Sequence, residues 1–135
     1  MTLKTTNIVE DNNKAVFLFT SNKKLETQQL LNIKTLNNST NESEISLATI
    51  HHETKGNFTI SFQNDVFDDT VEKKITLNGN GNWGVRPGEN RITDTDNLFI
   101  QSEGPFKIVV EVQKEKGFTN GWCSNNTNNS WYSRN

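Results

Sequence analysis

Three groups of residues have types that could do chemistry. The first is acidic. Asn64-Asp65-Val66-Phe67-Asp68-Asp69 gathers three carboxylates, and Asp94-Thr95-Asp96-Asn97 gathers two. Oxygen-rich loops of this kind suit Ca²⁺, which takes six to eight oxygen ligands. Neither cluster has the twelve-residue loop with a central Gly and a closing Glu, so both read first as solvated turns. The expectation is no cofactor; Ca²⁺ at Asp65, Asp68 and Asp69, or at Asp94 and Asp96, is the one alternative. The second group is His51-His52. Neighbours along a strand point to opposite faces, so on a strand these imidazoles cannot share a metal, whereas on a loop they could. The third is Cys123, the single cysteine. It excludes an internal disulfide and a multi-cysteine zinc site. It reads as a bystander thiol, with pairing between chains left open. A cysteine nucleophile needs a positioned partner, and the only histidines lie some 70 positions away. No nucleophile, metal set or acid–base pair assembles, so the chain is not expected to be an enzyme.

The segment from Gly79 to Arg91, reading Gly-Asn-Gly-Asn-Trp-Gly-Val-Arg-Pro-Gly-Glu-Asn-Arg, holds the most information. It is glycine-rich but lacks the Lys-Ser/Thr of a phosphate-binding loop, and no helical pattern follows it. Trp83 stands among small, flexible neighbours, which places its indole at a loop surface, clamping a loop, or over the open end of the sandwich. An exposed indole beside amides and guanidiniums matches sugar chemistry: the ring stacks on a pyranose face while polar groups bond the hydroxyls. The candidate ligand-binding residues are therefore Trp83, Asn80, Asn82, Arg86 and Arg91. Trp122, Trp131 and Tyr132 form a second aromatic patch near the C-terminus.

The elements that must position these residues are strands. Only two alanines occur, and Asn and Thr disfavour helix interiors. Alternation or β-branched and aromatic content marks 14–20, 30–36, 44–50, 57–62, 74–78, 97–101 and 106–113 as strands, with 2–10 as a further one. Ser102-Glu103-Gly104-Pro105 reads as a hairpin-type connection, 37–43 as a loop, and 21–30 as a short helix or a polar hairpin loop. Seven or eight short strands at these intervals predict a single all-β domain over 1–135, an antiparallel β-sandwich of Ig-like or jelly-roll-like type. Residues 117–135 form an Asn/Ser-rich aromatic tail, part of which is expected to pack.

The stretch from Lys73 to Lys114 resembles the end of the Ig-like starch-binding modules of the SusE and SusF outer-membrane lipoproteins of Bacteroidetes. The residues that carry the resemblance are Ile75-Thr76-Leu77-Asn78, Asn82-Trp83-Gly84, Asn97-Leu98-Phe99-Ile100 and Gly104 to Val110. It covers roughly 40 of the 135 residues. The first 70 residues show no matching Trp or Lys, and the chain has no lipobox cysteine. The resemblance implies that Trp83 is a sugar-stacking platform; the rest of that family's site does not transfer.

Composition narrows the partners. Asn, Thr and Ser number 21, 16 and 9 of 135 residues, while the net charge is only −2. No basic stripe exists to neutralise phosphates, so nucleic acid is not an expected partner. No apolar run approaches the ~20 residues of a membrane span. The six Asn-x-Ser/Thr triplets arise from composition. The start of the chain reads as lacking a signal peptide, which fits a cytoplasmic protein or a mature secreted chain; a secreted or cell-surface location is the expectation. A neutral, hydrogen-bonding surface points to a glycan or polysaccharide, so the expected function is non-catalytic carbohydrate binding. Two alternatives stand beside it: a small membrane-interacting, cytolysin-like toxin whose aromatics settle at a bilayer surface, and a structural or assembly subunit. Oligomeric state is not readable.

Overall fold

The computed structural model describes residues 3–63, 73–84, 93–94 and 96–119. Eight strands follow in order: β1 (Lys4–Glu10), β2 (Lys14–Ser21), β3 (Leu25–Leu31), β4 (Glu44–Gln63), β5 (Lys74–Gly84), β6 (Thr93–Asp94), β7 (Asn97–Ser102) and β8 (Phe106–Lys116). A 3-10 turn at Ile33–Thr35 follows β3. Every pairing is antiparallel, as the all-β reading expects, and all eight strands belong to one sheet.

The twenty-residue β4 is the spine of that sheet. One of its edges pairs with β8 over its first half and with β7 over its second. Its other edge pairs with β5 along most of its length and with β6 at Ile45 and Ser46. Beyond β8 lie β2 and then β1, and beyond β7 lies β3. Since β7 and β8 both run antiparallel to β4, they run in the same direction. The segment Ser102–Pro105 is therefore a bend within one long run, not the hairpin its Gly-Pro composition suggests. By the same logic β2 and β3 are one run bent at 22–24, so the helix or hairpin loop expected over 21–30 is replaced by strand. The strand expected over 30–36 lies earlier, in β3, and gives way to the 3-10 turn, where the Asn32 side chain accepts from the Lys34 N–H at 3.0 Å.

All the bends fall on one seam. Here β4 skips register between Glu53 and Asn57 against β5, Gly56 has φ +90° and Gly79 of β5 has φ +72°. The Lys55 N–H donates to Pro105 O at 3.1 Å, and the Glu103 N–H to Asn57 O at 2.9 Å. The Leu25 N–H donates to Ser102 Oγ at 3.0 Å. A Cβ on Gly104 would stand 2.4 Å from the Lys55 carbonyl oxygen, so only glycine lets the two bent runs approach so closely.

Bending curls the sheet so that both halves share one core. The inward row of β8, Phe106, Ile108, Val110 and Val112, is buried, and so are Phe17 and Phe19 of β2. Across the seam they join Phe58, Ile60 and Phe62 of β4 and Leu98 and Ile100 of β7 in one cluster. Each such side chain contributes about 1.5–3 kcal/mol through burial, which is how a chain only 31% hydrophobic holds a core. The outward rows carry the Thr and Asn excess.

Lys114 closes one end of the core. Its ammonium, with only 1% of the side chain exposed, donates to Glu10 Oε2 at 3.0 Å, Asp11 O at 2.8 Å and Asn37 O at 3.1 Å. It also lies 5.4 Å from the centre of the Phe118 ring. Burial works to raise the Glu10 carboxyl, but the Asn37 N–H, the Lys114 ammonium and the Asn7 amide together outweigh it and hold the group below its ordinary value. After β8, the Thr40 and Ser43 hydroxyls donate to Gly117 O, and the Thr119 N–H donates to Asn38 O at 2.8 Å.

Candidate functional site

The strand β5 runs straight through the glycine-rich segment, 74 to 84, which the sequence alone reads as a turn. Its alternation continues across the glycines. Facing inward are Ile75, Leu77, Gly79, Gly81 and Trp83; facing outward are Lys74, Thr76, Asn78, Asn80 and Asn82. Register fixes this assignment. Ile75 stands opposite Ile60, Leu77 opposite Phe58, Gly81 opposite His52 and Trp83 opposite Ile50, and these four β4 residues are all buried. Ile75, Leu77 and Trp83 pack against the core but remain only partly covered. β5 pairs with β4 alone among the described residues, and no described strand lies along its other edge.

The other two ends of the sheet differ from this. Strand β1 is exposed along nearly its whole length and bulged at Ile8. Its residues opposite Phe19, Phe17 and Ala15 are Thr5, Asn7 and Glu10, which are polar. Strand β3 buries Leu25, Leu30 and Leu31. Among the described residues, only β5 offers a long edge whose inward face is apolar and half covered. Its inward face is also interrupted: Gly79 and Gly81, about 7 Å apart along the strand, leave a notch in the row between Leu77 and Trp83.

His52 forms the floor of that notch. It is 7% exposed, and its ring packs tilted against Phe58 at 5.5 Å. Its Nδ1 meets Gly79 O at 2.7 Å, and the Thr54 hydroxyl donates to the same carbonyl at 3.2 Å. A carbonyl only accepts, so Nδ1 carries the hydrogen. A Cβ built on Gly81 would lie 3.4 Å from both Cε1 and Nε2 of His52. Gly81 thus leaves that edge of the imidazole uncovered. His51, on the outer face, pairs its Nδ1 with Asn82 Oδ1.

These positions revise the reading of the sequence. Trp83 is not on a loop; it is a strand residue turned toward Ile50. Asn80 and Asn82 project from the opposite face of the same strand. An indole and its hydroxyl-bonding amides must share one side to hold a pyranose, and strand alternation separates them. Asn80 instead borders a shallow outer depression of about 320 Å³ at the seam, with Glu53, Lys55, Pro105 and Lys107. Arg86, Arg91, Trp122, Trp131, Tyr132 and Cys123 lie outside the described residues, as do Asp65, Asp68 and Asp69. Asp94 enters β6 as backbone, and Asp96 is half-buried before β7. Among the described residues, no three His, Cys, Asp or Glu stand together as metal ligands. No helix there is long and apolar enough to cross a membrane. Sequence reasoning weighs His52 only as a metal ligand beside His51, and it passes over Gly81. The odd-numbered row Ile75, Leu77, Gly79, Gly81, Trp83 was the available signal, hidden because glycine punctuates strands more often than it continues them.

No family model matches the chain, and no curated protein matches it. Solved structures similar to it include a cupin superfamily protein from Desulfitobacterium hafniense, at 11% identity and TM-score 0.42, spanning 84% of this chain and 78% of that one. A cupin-2 domain protein from Shewanella frigidimarina aligns at 13% identity and TM-score 0.38 over 83% and 80% of the two chains. A cupin domain from Bordetella pertussis aligns at 8% identity and TM-score 0.40 over 85% and 95%. Likenesses at this level assign neither family nor activity. The opposed faces of Trp83 and its neighbours Asn80 and Asn82 remove the geometry on which the carbohydrate-binding expectation stood. That expectation is corrected.

Proposed function

We propose that the chain is a non-catalytic binding domain that takes up an extended polypeptide along the open edge of β5. One observation carries this reading: an eleven-residue edge strand with apolar, half-covered side chains on its inward face. In strand addition the incoming main chain pairs with the free N–H and C=O groups of the edge, and alternate side chains supply selectivity. A strand laid against β5 would complete the cover over Ile75, Leu77 and Trp83. The neutral outer face, with Thr76, Asn78, Asn80 and Asn82, keeps the same edge soluble while it waits.

The test is selection from a displayed library of random heptapeptides, followed by hydrogen exchange on the complex. In a Trp122→Phe/Trp131→Phe background, Trp83 is the sole tryptophan and its fluorescence reports the edge directly. The expected result is peptides with alternating apolar residues that protect amides of 74–84 and shift Trp83 emission to shorter wavelength. Recovery of no binding peptide, or protection confined to another strand, overturns the reading.

A further inference from the structure

We infer that the notch between Leu77 and Trp83 is a side-chain subsite that recognises a phenol, the tyrosine side chain of an added strand, through His52 Nε2. This rests on the strand-addition reading above and names what its central pocket selects. The hydrogen-bonding of His52 sets the chemistry. Nδ1 donates to Gly79 O, which fixes the tautomer in which Nε2 is the lone-pair acceptor. His52 is 93% covered; its Nε2 has no hydrogen-bond partner among the described residues and lies at the edge of the ring that Gly81 leaves open to solvent.

The surroundings choose among donors. Phe58 lies against the imidazole at 5.5 Å, and Leu77 and Trp83 flank the glycine pair along β5. No Cβ at 79 or 81 intrudes, and around a Cβ at 79 there is open space to 4 Å. An ammonium would enter apolar walls without a counter-charge. A short hydroxyl side chain would leave those walls uncovered. A phenol fills the notch with an aromatic ring and brings its one O–H to the one acceptor.

Two measurements separate this inference from the reading it rests on. The first uses small probes and needs no peptide. Titration with p-cresol, followed by the imidazole ¹⁵N signals of His52, is expected to move Nε2, while toluene is expected to leave Nε2 in place. Equal responses, or none to p-cresol, overturn the inference. The second uses the heptapeptide Thr-Val-Thr-Tyr-Thr-Val-Thr and its central Phe counterpart. The wild type is expected to hold the Tyr peptide about tenfold more tightly, the value of one buried hydrogen bond. His52→Phe, which keeps an aromatic floor, is expected to bind both peptides alike. Binding of both peptides without preference by the wild type removes the phenol subsite and leaves strand addition standing. A p-cresol shift with neither peptide bound keeps a phenol site and removes the polypeptide.

Discussion

Lys114→Met tests how the closed end of the core is held. Methionine keeps most of the unbranched stem and removes only the charge and its donors. Three hydrogen bonds go, at 3.0, 2.8 and 3.1 Å, along with the contact over Phe118. Glu10 is left as a carboxylate whose side chain is 10% exposed, and the carbonyls of Asp11 and Asn37 lose a donor. Breaking a buried pair from one side costs about 3–5 kcal/mol. Glu10 retains the Asn37 N–H and the Asn7 amide, so the lower figure, about 3 kcal/mol, applies. With a urea slope of about 2 kcal/mol per molar, the unfolding midpoint should fall by about 1.5 M. Circular dichroism during a urea titration measures it. Glu10→Gln in the same background removes the stranded charge, so the double variant should lose less than the two single losses combined, by more than about 0.5 kcal/mol. A midpoint change worth under about 1 kcal/mol for Lys114→Met, or strict additivity in the cycle, would refute the view of Lys114 as a buried clamp.

Other outcomes follow from single contacts. Gly104→Ala drives a Cβ to 2.4 Å from a backbone oxygen, whereas Gly79→Ala meets nothing within 4 Å and carries only the left-handed φ of +72°; thermal melts should show a loss of about 2–3 kcal/mol for the first and about 1 kcal/mol for the second. The lowered Glu10 carboxyl contributes stability that is fully present above the ordinary carboxylate value and is lost as pH falls through the lower folded value. Urea midpoints measured from pH 6 down to pH 3 should therefore decline, and Glu10→Gln should decline less steeply. Gly81→Val sets a β-branched residue over His52 in a strand now rich in glycine; thermal melts should show it unchanged or up to about 1 kcal/mol more stable, while the heptapeptides no longer bind.

Most of the strand content was legible because inward residues repeat with period two. Phe106, Ile108, Val110 and Val112 announce β8, and Phe58, Ile60 and Phe62 announce the far half of β4. The joints were not legible, for a physical reason. Glycine and proline mark a change of direction without stating its size. Ser102–Pro105 has the composition of a hairpin and makes a bend, because its neighbour β4 bends beside it at Gly56 and the two runs stay paired across the seam. Such agreement between distant segments is absent from local sequence. The polar run 21–30 misled for a related reason: Glu26, Thr27, Gln28 and Gln29 carry no helical or strand period, and their conformation is imposed by pairing with β7.

The candidate site was half legible. Trp83 is the informative residue of the sequence, and it lies on β5, half covered against the core. Asn80 and Asn82 do not join it, because nearness in sequence along a strand is not nearness in space. In a strand, the residues one position away are the ones a side chain cannot join, and those two positions away are its neighbours. Applied to Trp83, that rule discards Asn82 and selects Gly81, and register across the sheet then brings in His52 and Ile50. Glycine at 81 weakens the strand that holds it, by about 0.5–1 kcal/mol relative to alanine. What that position provides in return is access: without a Cβ there, a buried imidazole edge opens onto the one sheet edge that lacks a neighbour and has an apolar inward face among the described residues. The weakest point of β5 as a strand is therefore its strongest point as a site.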